Sequence, residues 1–227
     1  ALVGKSDLRY VICDTDYSSY FEDYRQTNIV FLEYHSGAGC FGLEAFMKEE
    51  APEAEMAGTY EDISVMMFTS GTTSLSKGVL ITNYGYLHAV ATYQKIFQIT
   101  EQDSTVIPVP IYMITGLSAL FGLLLYSGGT VYLQQFFKAE DVLTCIRDKQ
   151  VTFIHAAPTV YQLLTEQAEA FPELPSLKCL ACGGSRITKQ LIEKIHRWLP
   201  NSQFRTVYGM TETASPATIL PENAIDS

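Results

Sequence analysis

Apolar positions along the chain follow two patterns. Short runs rich in Val, Ile and aromatic residues predict β-strands, and longer stretches with apolar residues three or four positions apart predict amphipathic helices. The predicted strands are residues 10–13, 29–34, 63–69, 105–109, 130–133, 151–156, 177–182 and 204–208. The predicted helices are residues 84–97, 116–126, 139–147, 158–168 and 188–199. The second is apolar on all sides and is therefore expected to be buried, and the last has Thr188 as its N-cap.

Strands and helices alternate along most of the chain, which predicts a layered α/β fold with largely parallel sheets and helices on both faces. Ligands of such sheets bind beyond the carboxyl ends of the strands. Three candidate loops are placed there: residues 70–78, 183–187 and 209–213. A polar, acidic stretch from residue 48 to residue 62 predicts a linker, so the expected division is a first α/β sub-structure with its linker (1–62) and an α/β core (63–227).

The chain has 227 residues and a net charge of −10, from 15 Lys and Arg against 25 Asp and Glu. An acidic chain lacks the basic face that nucleic acids or anionic membranes require, so neither is an expected partner. The longest apolar stretch, residues 117–126, is shorter than the roughly 20 residues that cross a bilayer. The first ten residues do not resemble a signal peptide, and we expect a cytoplasmic protein.

Five cysteines are scattered along the chain, which is typical of reduced thiols in the cytoplasm. Cys179 and Cys182 form a C-x-x-C pair without a second pair that would complete a zinc site. In a strand, residues three apart point to opposite faces, so the two sulfurs would not converge. Buried structural cysteines are therefore favoured over a metal or redox site.

Residues 69–78 concentrate six hydroxyl side chains, two glycines and a lysine directly after a hydrophobic strand. Hydroxyls and exposed backbone N–H groups donate to phosphate oxygens, glycines allow close approach, and a lysine adds positive charge. The composition fits a polyphosphate-binding loop, although a plain surface turn would have a similar composition. It is not a Walker A loop, because Ser76-Lys77-Gly78 stands where Gly-Lys-Ser/Thr is required.

The segment from Phe68 to Val79 resembles the phosphate-loop signature of the adenylate-forming enzymes, which include acyl- and aryl-CoA ligases, adenylation domains and luciferases. Two serines, Ser74 and Ser76, replace the usual glycine and proline. Three later segments resemble further landmarks of the family in the same order. They are Pro158-Thr159, Gly183-Gly184-Ser185 and the full Y-G-x-T-E signature at residues 208–212. The chain would then be part of the family's large N-terminal domain.

The resemblance implies a role for each matching residue. The residues that would hold the β- and γ-phosphates of ATP are Thr69, Ser70, Gly71, Thr72, Thr73 and Lys77. The residues that would line the adenine and the acyl group are Gly183, Gly184, Ser185, Tyr208 and Gly209, with Tyr208 stacked on the adenine ring. Thr211 would contact the α-phosphate and Glu212 would bind Mg²⁺, so Lys77, Thr211 and Glu212 are the expected catalytic residues.

The acyl pocket is expected to involve Tyr112 and Met113, together with His155 and Gly184. Met113 stands where many CoA ligases carry a histidine, and simple core packing is an alternative for Tyr112 and Met113. Amino-acid-activating domains carry an Asp in this region, but none occurs between Asp103 and Asp141. A fatty or aryl acid is therefore favoured over an amino acid.

Family members attack the α-phosphorus of ATP with a carboxylate, and the ligases then transfer the acyl group to coenzyme A. The expected small-molecule partners are thus a carboxylic acid, ATP with Mg²⁺, and CoA. The family's ribose Asp motif and small C-terminal domain do not follow Glu212 in this sequence, so we expect a piece of a ligase that is inactive alone and prone to self-association. The alternatives are a degenerate nucleotide-binding module and an amino-acid adenylation domain.

Overall fold

The computed structural model describes residues 8, 10–21, 28–31, 40–42, 58–69 and 76–221, and the chain divides into two compact units, 1–57 and 58–227. The sequence places the boundary at residue 62. In the first unit, β1 (Tyr10–Cys13), β2 (Asn28–Phe31) and β3 (Cys40–Gly42) form a parallel sheet in that order, with a 3₁₀ helix at Thr15–Phe21. The predicted strand at residues 10–13 is confirmed. In the next predicted strand, residues 29–34, positions 32–34 lie outside the described residues.

The second unit begins with an antiparallel hairpin of β4 (Ile63–Thr69) and β5 (Lys77–Thr82). The predicted strand at residues 63–69 is confirmed. The loop predicted at residues 70–78, beyond the end of a parallel strand, is wrong at its C-terminal end. Lys77 and Gly78 belong to β5 and pair with β4. This strand was not predicted because its first residues are Lys and Gly and because it passes directly into a helix. It therefore lacks the turn residues that normally bound a strand.

A six-stranded sheet forms the centre of the second unit, in the order β11-β10-β9-β8-β6-β7. Its strands are parallel except for β11, which runs antiparallel to β10. Their bounds are Ser104–Val106 (β6), Thr130–Tyr132 (β7), Phe153–Ala156 (β8), Cys179–Cys182 (β9), Gln203–Tyr208 (β10) and Thr218–Ile219 (β11). All but the short β11 were predicted from the sequence, within two or three residues at each end.

Five α-helices and one π-helix accompany these strands in the described part of the second unit. They are α1 (Asn83–Phe97), a π-helix (Thr115–Gly122), α2 (Leu123–Ser127), α3 (Ala139–Lys149), α4 (Pro158–Thr165) and α5 (Lys189–Trp198). Thr188 caps α5 as predicted, because its hydroxyl accepts from the Leu191 N–H. The helix predicted at 116–126 is only partly buried, since Leu125 and Tyr126 at its end are 67% and 54% exposed.

Apolar clusters cover both faces of the central sheet. On β9, Leu180 and Cys182 pack in the cluster beside α3, α4 and α5, whereas Cys179 and Ala181 pack in the cluster beside α1 and α2. This alternation confirms the α/β fold with helices on both faces. It also places the two C-x-x-C sulfurs on opposite faces, as predicted. Burial raises the pKa of the Cys182 thiol to about 12, which keeps it protonated and unreactive.

An ion pair between the exposed Lys178 side chain and the buried Asp103 carboxylate lies at the amino end of the sheet. Lys178 donates to Asp103 at 2.8 Å, and the same carboxylate accepts from Thr152 and from the backbone N–H of Thr100. Burial alone would raise the pKa of Asp103, but these hydrogen bonds outweigh it and leave the pKa below its ordinary value. Among the described helices, none is long and apolar enough to cross a bilayer.

Candidate functional site

A cavity of about 730 Å³ lies where the carboxyl ends of β8, β9 and β10 meet the loop end of the β4–β5 hairpin. The start of the π-helix contributes a further wall through Ile114 and Thr115. Five separate segments therefore converge on one space, at the edge of the sheet where α/β folds bind ligands. This convergence makes the cavity the leading candidate for a functional site.

The hairpin brings a hydroxyl and an ammonium group to the cavity. Thr69, the last residue of β4, pairs directly with Lys77, the first residue of β5, and both line the space. The strand pairing fixes the two residues opposite each other at the mouth of the loop. The other predicted phosphate-binding residues of this loop lie outside the described residues: Ser70, Gly71, Thr72 and Thr73.

Two glycines after β9 form the floor of the cavity. A Cβ on Gly183 would lie 2.7 Å from the carbonyl oxygen of Val207 and 3.2 Å from Nε2 of His155, so no larger residue fits without a shift. Gly184 has φ +86°, a left-handed conformation that favours glycine, with open space around its Cα. The glycines thus let β9 and β10 approach closely while keeping the backbone accessible.

The segment after β10 turns sharply into a 3₁₀ helix, Thr211–Thr213. The Thr213 hydroxyl holds this turn by accepting from the Met210 N–H and donating to the Met210 carbonyl. Gly209, Thr211 and Glu212 line the cavity as a result. Because the turn is closed by local hydrogen bonds, Thr211 and Glu212 are held at the cavity edge rather than on a loose loop.

Tyr208 and Ser185 do not line this cavity. They lie in an adjoining groove of about 520 Å³, which shares Gly184 and Gly209 with the first space. Tyr208 is 64% exposed, and apolar side chains such as Ile187 and Leu220 line the groove around it. An exposed flat ring beside an apolar groove is suited to stacking against a planar ligand group.

His155 is the most deeply buried polar residue of the cavity. It is 1% exposed, and neither ring nitrogen has a hydrogen-bond partner among the described residues. The Tyr93 ring meets it edge-on, with the centroids 5.9 Å apart. Burial lowers the pKa of His155 to about 3, so the imidazole is neutral near pH 7.

Tyr112 and Met113, predicted for the acyl pocket, lie at the surface. They are 76% and 52% exposed and do not line the cavity, whereas the next two residues, Ile114 and Thr115, do. The residues of this segment that line the cavity are thus Ile114 and Thr115 rather than the predicted Tyr112 and Met113. Ser215, which also lines the cavity, carried no sequence signal, because nothing in the local pattern marks it.

The charged side chains that line the described part of the cavity are Lys77 and Glu212. The described residues nowhere gather three or more His, Cys, Asp or Glu side chains into a metal site. A single carboxylate beside hydroxyls is nevertheless a suitable partner for Mg²⁺, which commonly binds one or two carboxylates together with substrate phosphates and water. The residues present therefore fit a Mg²⁺–polyphosphate ligand.

Comparisons with known proteins show the family to which the chain is related. Residues 4–227 match the protein-family model described as AMP-binding enzyme. The chain is 36% identical over 199 residues to the 2-succinylbenzoate–CoA ligase of Bacillus velezensis, covering 86% of this chain and 39% of the relative. It is 39% identical over 203 residues to the same enzyme of Bacillus licheniformis, covering 86% of this chain and 41% of the relative.

A solved structure shows the same relationship in three dimensions. The O-succinylbenzoate coenzyme A synthetase of Bacillus subtilis, in complex with ATP and magnesium, superposes with a TM-score of 0.81. The sequences are 28% identical, and the match covers 98% of this chain and 44% of that one. The chain thus spans about two-fifths of the length of the relatives that it matches.

Proposed function

The chain belongs to the AMP-binding enzyme family, and on that basis we propose that it supplies the ATP- and acid-binding core of a carboxylic acid–CoA ligase. The reaction begins when a substrate carboxylate attacks the α-phosphorus of ATP, which forms an acyl-adenylate and releases pyrophosphate. A thiolate of coenzyme A then attacks the acyl carbon and displaces AMP. Both nucleophiles belong to substrates, so the protein's task is positioning and charge stabilisation.

One observation carries the proposal: Thr69 and Lys77 of one hairpin line the same cavity as Glu212, which lies far along the sequence from both. Lys77 would donate hydrogen bonds from its ammonium group to the β- and γ-phosphates. Thr69 adds a hydroxyl donor on the same side. Across the cavity, the Thr211 hydroxyl would contact the α-phosphate, where negative charge must be stabilised as the new P–O bond forms.

Glu212 would hold Mg²⁺, which when bound neutralises phosphate charge and so favours nucleophilic approach. The adjoining groove supplies the adenine site in this proposal, with Tyr208 stacked on the ring and Ser185 at its side. The larger cavity would then take the acid, between His155 and Gly184. The two spaces adjoin, since Gly184, Val207 and Gly209 line both of them.

We propose a fatty or aryl acid rather than an amino acid as the substrate. An amino group would need a carboxylate partner in the acid-binding space, and the carboxylate among the described lining residues is Glu212, which the phosphates and Mg²⁺ would engage. The relatives named above act on an aryl acid according to their names. This similarity supports an aryl ring but does not identify the acid.

The test is nucleotide binding by the 227-residue chain, measured by calorimetry with Mg-ATP and with Mg-GTP as the control, followed by pyrophosphate release with fatty, aryl and amino acids. We expect selective, weak binding of Mg-ATP without turnover, because the chain spans only about two-fifths of the length of the relatives that it matches. A folded chain that binds neither nucleotide would overturn the proposal. CoA ligation by these residues alone would contradict the expected inactivity.

A further inference from the structure

The cavity wall that carries Ile114 and Thr115 lies at the start of an unusual helix. Residues Thr115–Gly122 form a π-helix, the helix type in which a carbonyl accepts from the N–H five residues further on. This type is rare and occurs mostly as a single turn inside an α-helix, frequently at a functional site. Eight consecutive π-helical residues therefore require contacts from outside the helix that favour this form over an α-helix.

Tyr86 on α1 supplies such a contact. Its hydroxyl donates to the Leu117 carbonyl oxygen at 2.8 Å, in the first turn of the π-helix. Burial raises the pKa of Tyr86, so the hydroxyl keeps the proton that it donates. Leu117 lies three residues after Ile114, and both pack with the Tyr86 ring in one apolar cluster. The hydrogen bond thus holds the turn next to the cavity wall.

Gly122 leaves the space that the tyrosine occupies. A Cβ on Gly122 would overlap the Tyr86 hydroxyl and lie 3.1 Å from the Leu117 carbonyl oxygen. Leu117 and Gly122 are five residues apart, so the π-helical turn brings them one above the other. In an α-helix Phe121 would take that place, four residues after Leu117, and its side chain would crowd the tyrosine. The hydroxyl and the glycine therefore select the π-helical form together.

A change to an α-helix would turn the cavity wall. One residue corresponds to about 100° of rotation in an α-helix. Leu120 and Leu123 are fully buried in the core, so the rotation would fall on the beginning of the helix. Ile114 and Thr115, which now line the cavity, would then no longer face it together.

We propose that Tyr86 is a positioning residue for the acid, because its hydrogen bond to Leu117 holds the π-helix that places Ile114 and Thr115 against the acyl group. This inference rests on the proposed function, since it assumes that the cavity takes the acid. Tyr86 does not itself line the cavity and acts through the helix. Other elements bind the nucleotide in the proposed geometry, so the Tyr86 hydroxyl should affect the acid alone.

A second tyrosine of α1 provides the contrast. Tyr93 lies seven residues after Tyr86, about two helical turns further on, and therefore on the same face of α1. Its hydroxyl lies 2.8 Å from that of Ser215, which follows the turn that carries Thr211 and Glu212. The two tyrosines thus connect one helix face to different walls of the cavity. Loss of the first hydroxyl should weaken acid binding, and loss of the second should weaken nucleotide binding.

The experiment measures acid and nucleotide affinities separately in Tyr86→Phe, which keeps the ring and removes only the hydroxyl. The acids are 2-succinylbenzoate, which the names of the relatives print, 4-phenylbutanoate and octanoate. Their binding is measured by calorimetry with Mg²⁺ and saturating α,β-methylene-ATP, which prevents adenylation. One hydrogen bond changes the balance of the two helical forms by about three- to tenfold. We expect the acid to bind weaker by about this factor and Mg-ATP to bind unchanged.

Tyr84→Phe and Tyr93→Phe are the matched controls on the same helix. Tyr84 is 62% exposed, and its variant should change neither affinity. Tyr93→Phe should lower the nucleotide affinity and leave the acid affinity at saturating nucleotide unchanged. This opposite pattern separates an effect on one wall of the cavity from a general loss of stability.

NMR locates the change within the chain. In Tyr86→Phe the backbone amide signals of Ile114 and Thr115 should shift, whereas those of Thr211 and Glu212 should stay in place. Shifts at all four residues, or at none of them, would contradict a hydrogen bond that acts on the π-helix alone.

The outcomes separate this inference from the function beneath it. If Tyr86→Phe binds the acid like the unmodified chain, or loses acid and nucleotide affinity by the same factor, the inference is wrong while the ligase proposal stands. If the folded, unmodified chain binds the nucleotide analogue but none of the acids, the cavity does not take the acid and the inference fails. If it binds neither nucleotide nor acid, the proposed function itself fails.

Discussion

The hydroxyl groups of Tyr93 and Ser215 lie 2.8 Å apart, although the residues are 122 positions apart in the sequence. Tyr93 is fully buried on α1, and Ser215 follows the turn that carries Thr211 and Glu212. The Ser215 hydroxyl also lies behind Gly209, within 3.0 Å of where a Cβ would stand. This hydrogen bond therefore connects the helix layer to the back of the candidate phosphate-binding turn.

Tyr93→Phe should destabilise the chain and weaken its binding of Mg-ATP. The variant keeps the ring packing but leaves the Ser215 hydroxyl buried without a partner, which costs about 1–2 kcal/mol. Because Ser215 supports the turn after Tyr208, the Thr211 and Glu212 side chains should also become less ordered. Urea unfolding measures the first effect, and calorimetry with Mg-ATP measures the second.

Tyr84→Phe is the matched control, since Tyr84 lies on the same helix but is 62% exposed. Its unfolding free energy and nucleotide affinity should equal those of the unmodified chain. Equal nucleotide affinity in Tyr93→Phe and in the control would show that the hydrogen bond has no part in shaping the site.

Lys77→Ala and Glu212→Gln should each weaken the binding of Mg-ATP. Lys77→Ala removes a charge-assisted hydrogen bond to the phosphates, which corresponds to a loss of roughly 10- to 100-fold in affinity. Glu212→Gln should weaken binding in the presence of Mg²⁺ and leave the much weaker binding of metal-free ATP unchanged. Calorimetry with and without Mg²⁺ distinguishes the two roles.

Lys95→Ala and Glu193→Gln are the controls for charge alone, since both residues are exposed on helices, α1 and α5. Neither should change the affinity. If the control variants lowered the affinity as much as Lys77→Ala, long-range charge rather than a specific contact would explain the effect.

The sequence predicted most of the central sheet because buried parallel strands and the helices between them leave clear hydrophobic periods. The strand at 177–182 and the helix capped by Thr188 are examples in which local pattern and final structure agree. β5 was missed because its pairing with β4 depends on a hairpin rather than on its own composition. The π-helix at Thr115–Gly122 was missed because its apolar residues suit an ordinary helix equally well.

The candidate site was predictable only where its residues belong to local motifs. The turn from Gly209 to Glu212 follows the sequence signature, and the structure brings it to the cavity with Lys77. Tyr93 and Ser215 meet only through tertiary packing, so no local pattern indicates them. Nor does a motif say which way its side chains point, as the exposure of Tyr112 illustrates.

Gly183→Ala should destabilise the chain far more than Gly184→Ala. A Cβ on Gly183 would lie 2.7 Å from the Val207 carbonyl, so β9 and β10 must shift, at a cost of about 2–3 kcal/mol. Gly184 has φ +86° but open space around it, so an alanine there adds only backbone strain, about 1 kcal/mol. Chemical unfolding of the two variants measures both costs, and similar values would contradict the close approach of the strands at Gly183.

Acid should destabilise the chain in part through His155, and His155→Leu should remove that part. The pKa of His155 is lowered to about 3 in the folded state, against about 6.5 when unfolded, so between these values the unfolded state binds a proton that the folded state does not. The free energy of unfolding therefore falls as the pH falls below about 6.5, by about 1.4 kcal/mol per pH unit from this residue alone.

Hydrogen bonds lower the pKa of Asp103, so the stability that its ionised carboxylate contributes is present above the ordinary pKa of 3.8. That stability is lost only at lower pH. Urea unfolding between pH 6 and pH 4.5 thus separates the histidine from this carboxylate. The free energy of unfolding should change less steeply with pH in His155→Leu than in the unmodified chain, by the equivalent of about one bound proton. This difference in slope does not depend on the absolute stability of either protein. His88→Leu, the exposed control, should keep the full slope. Identical slopes in all three proteins would mean that His155 takes up its proton in the folded state, which contradicts a neutral, deeply buried ring.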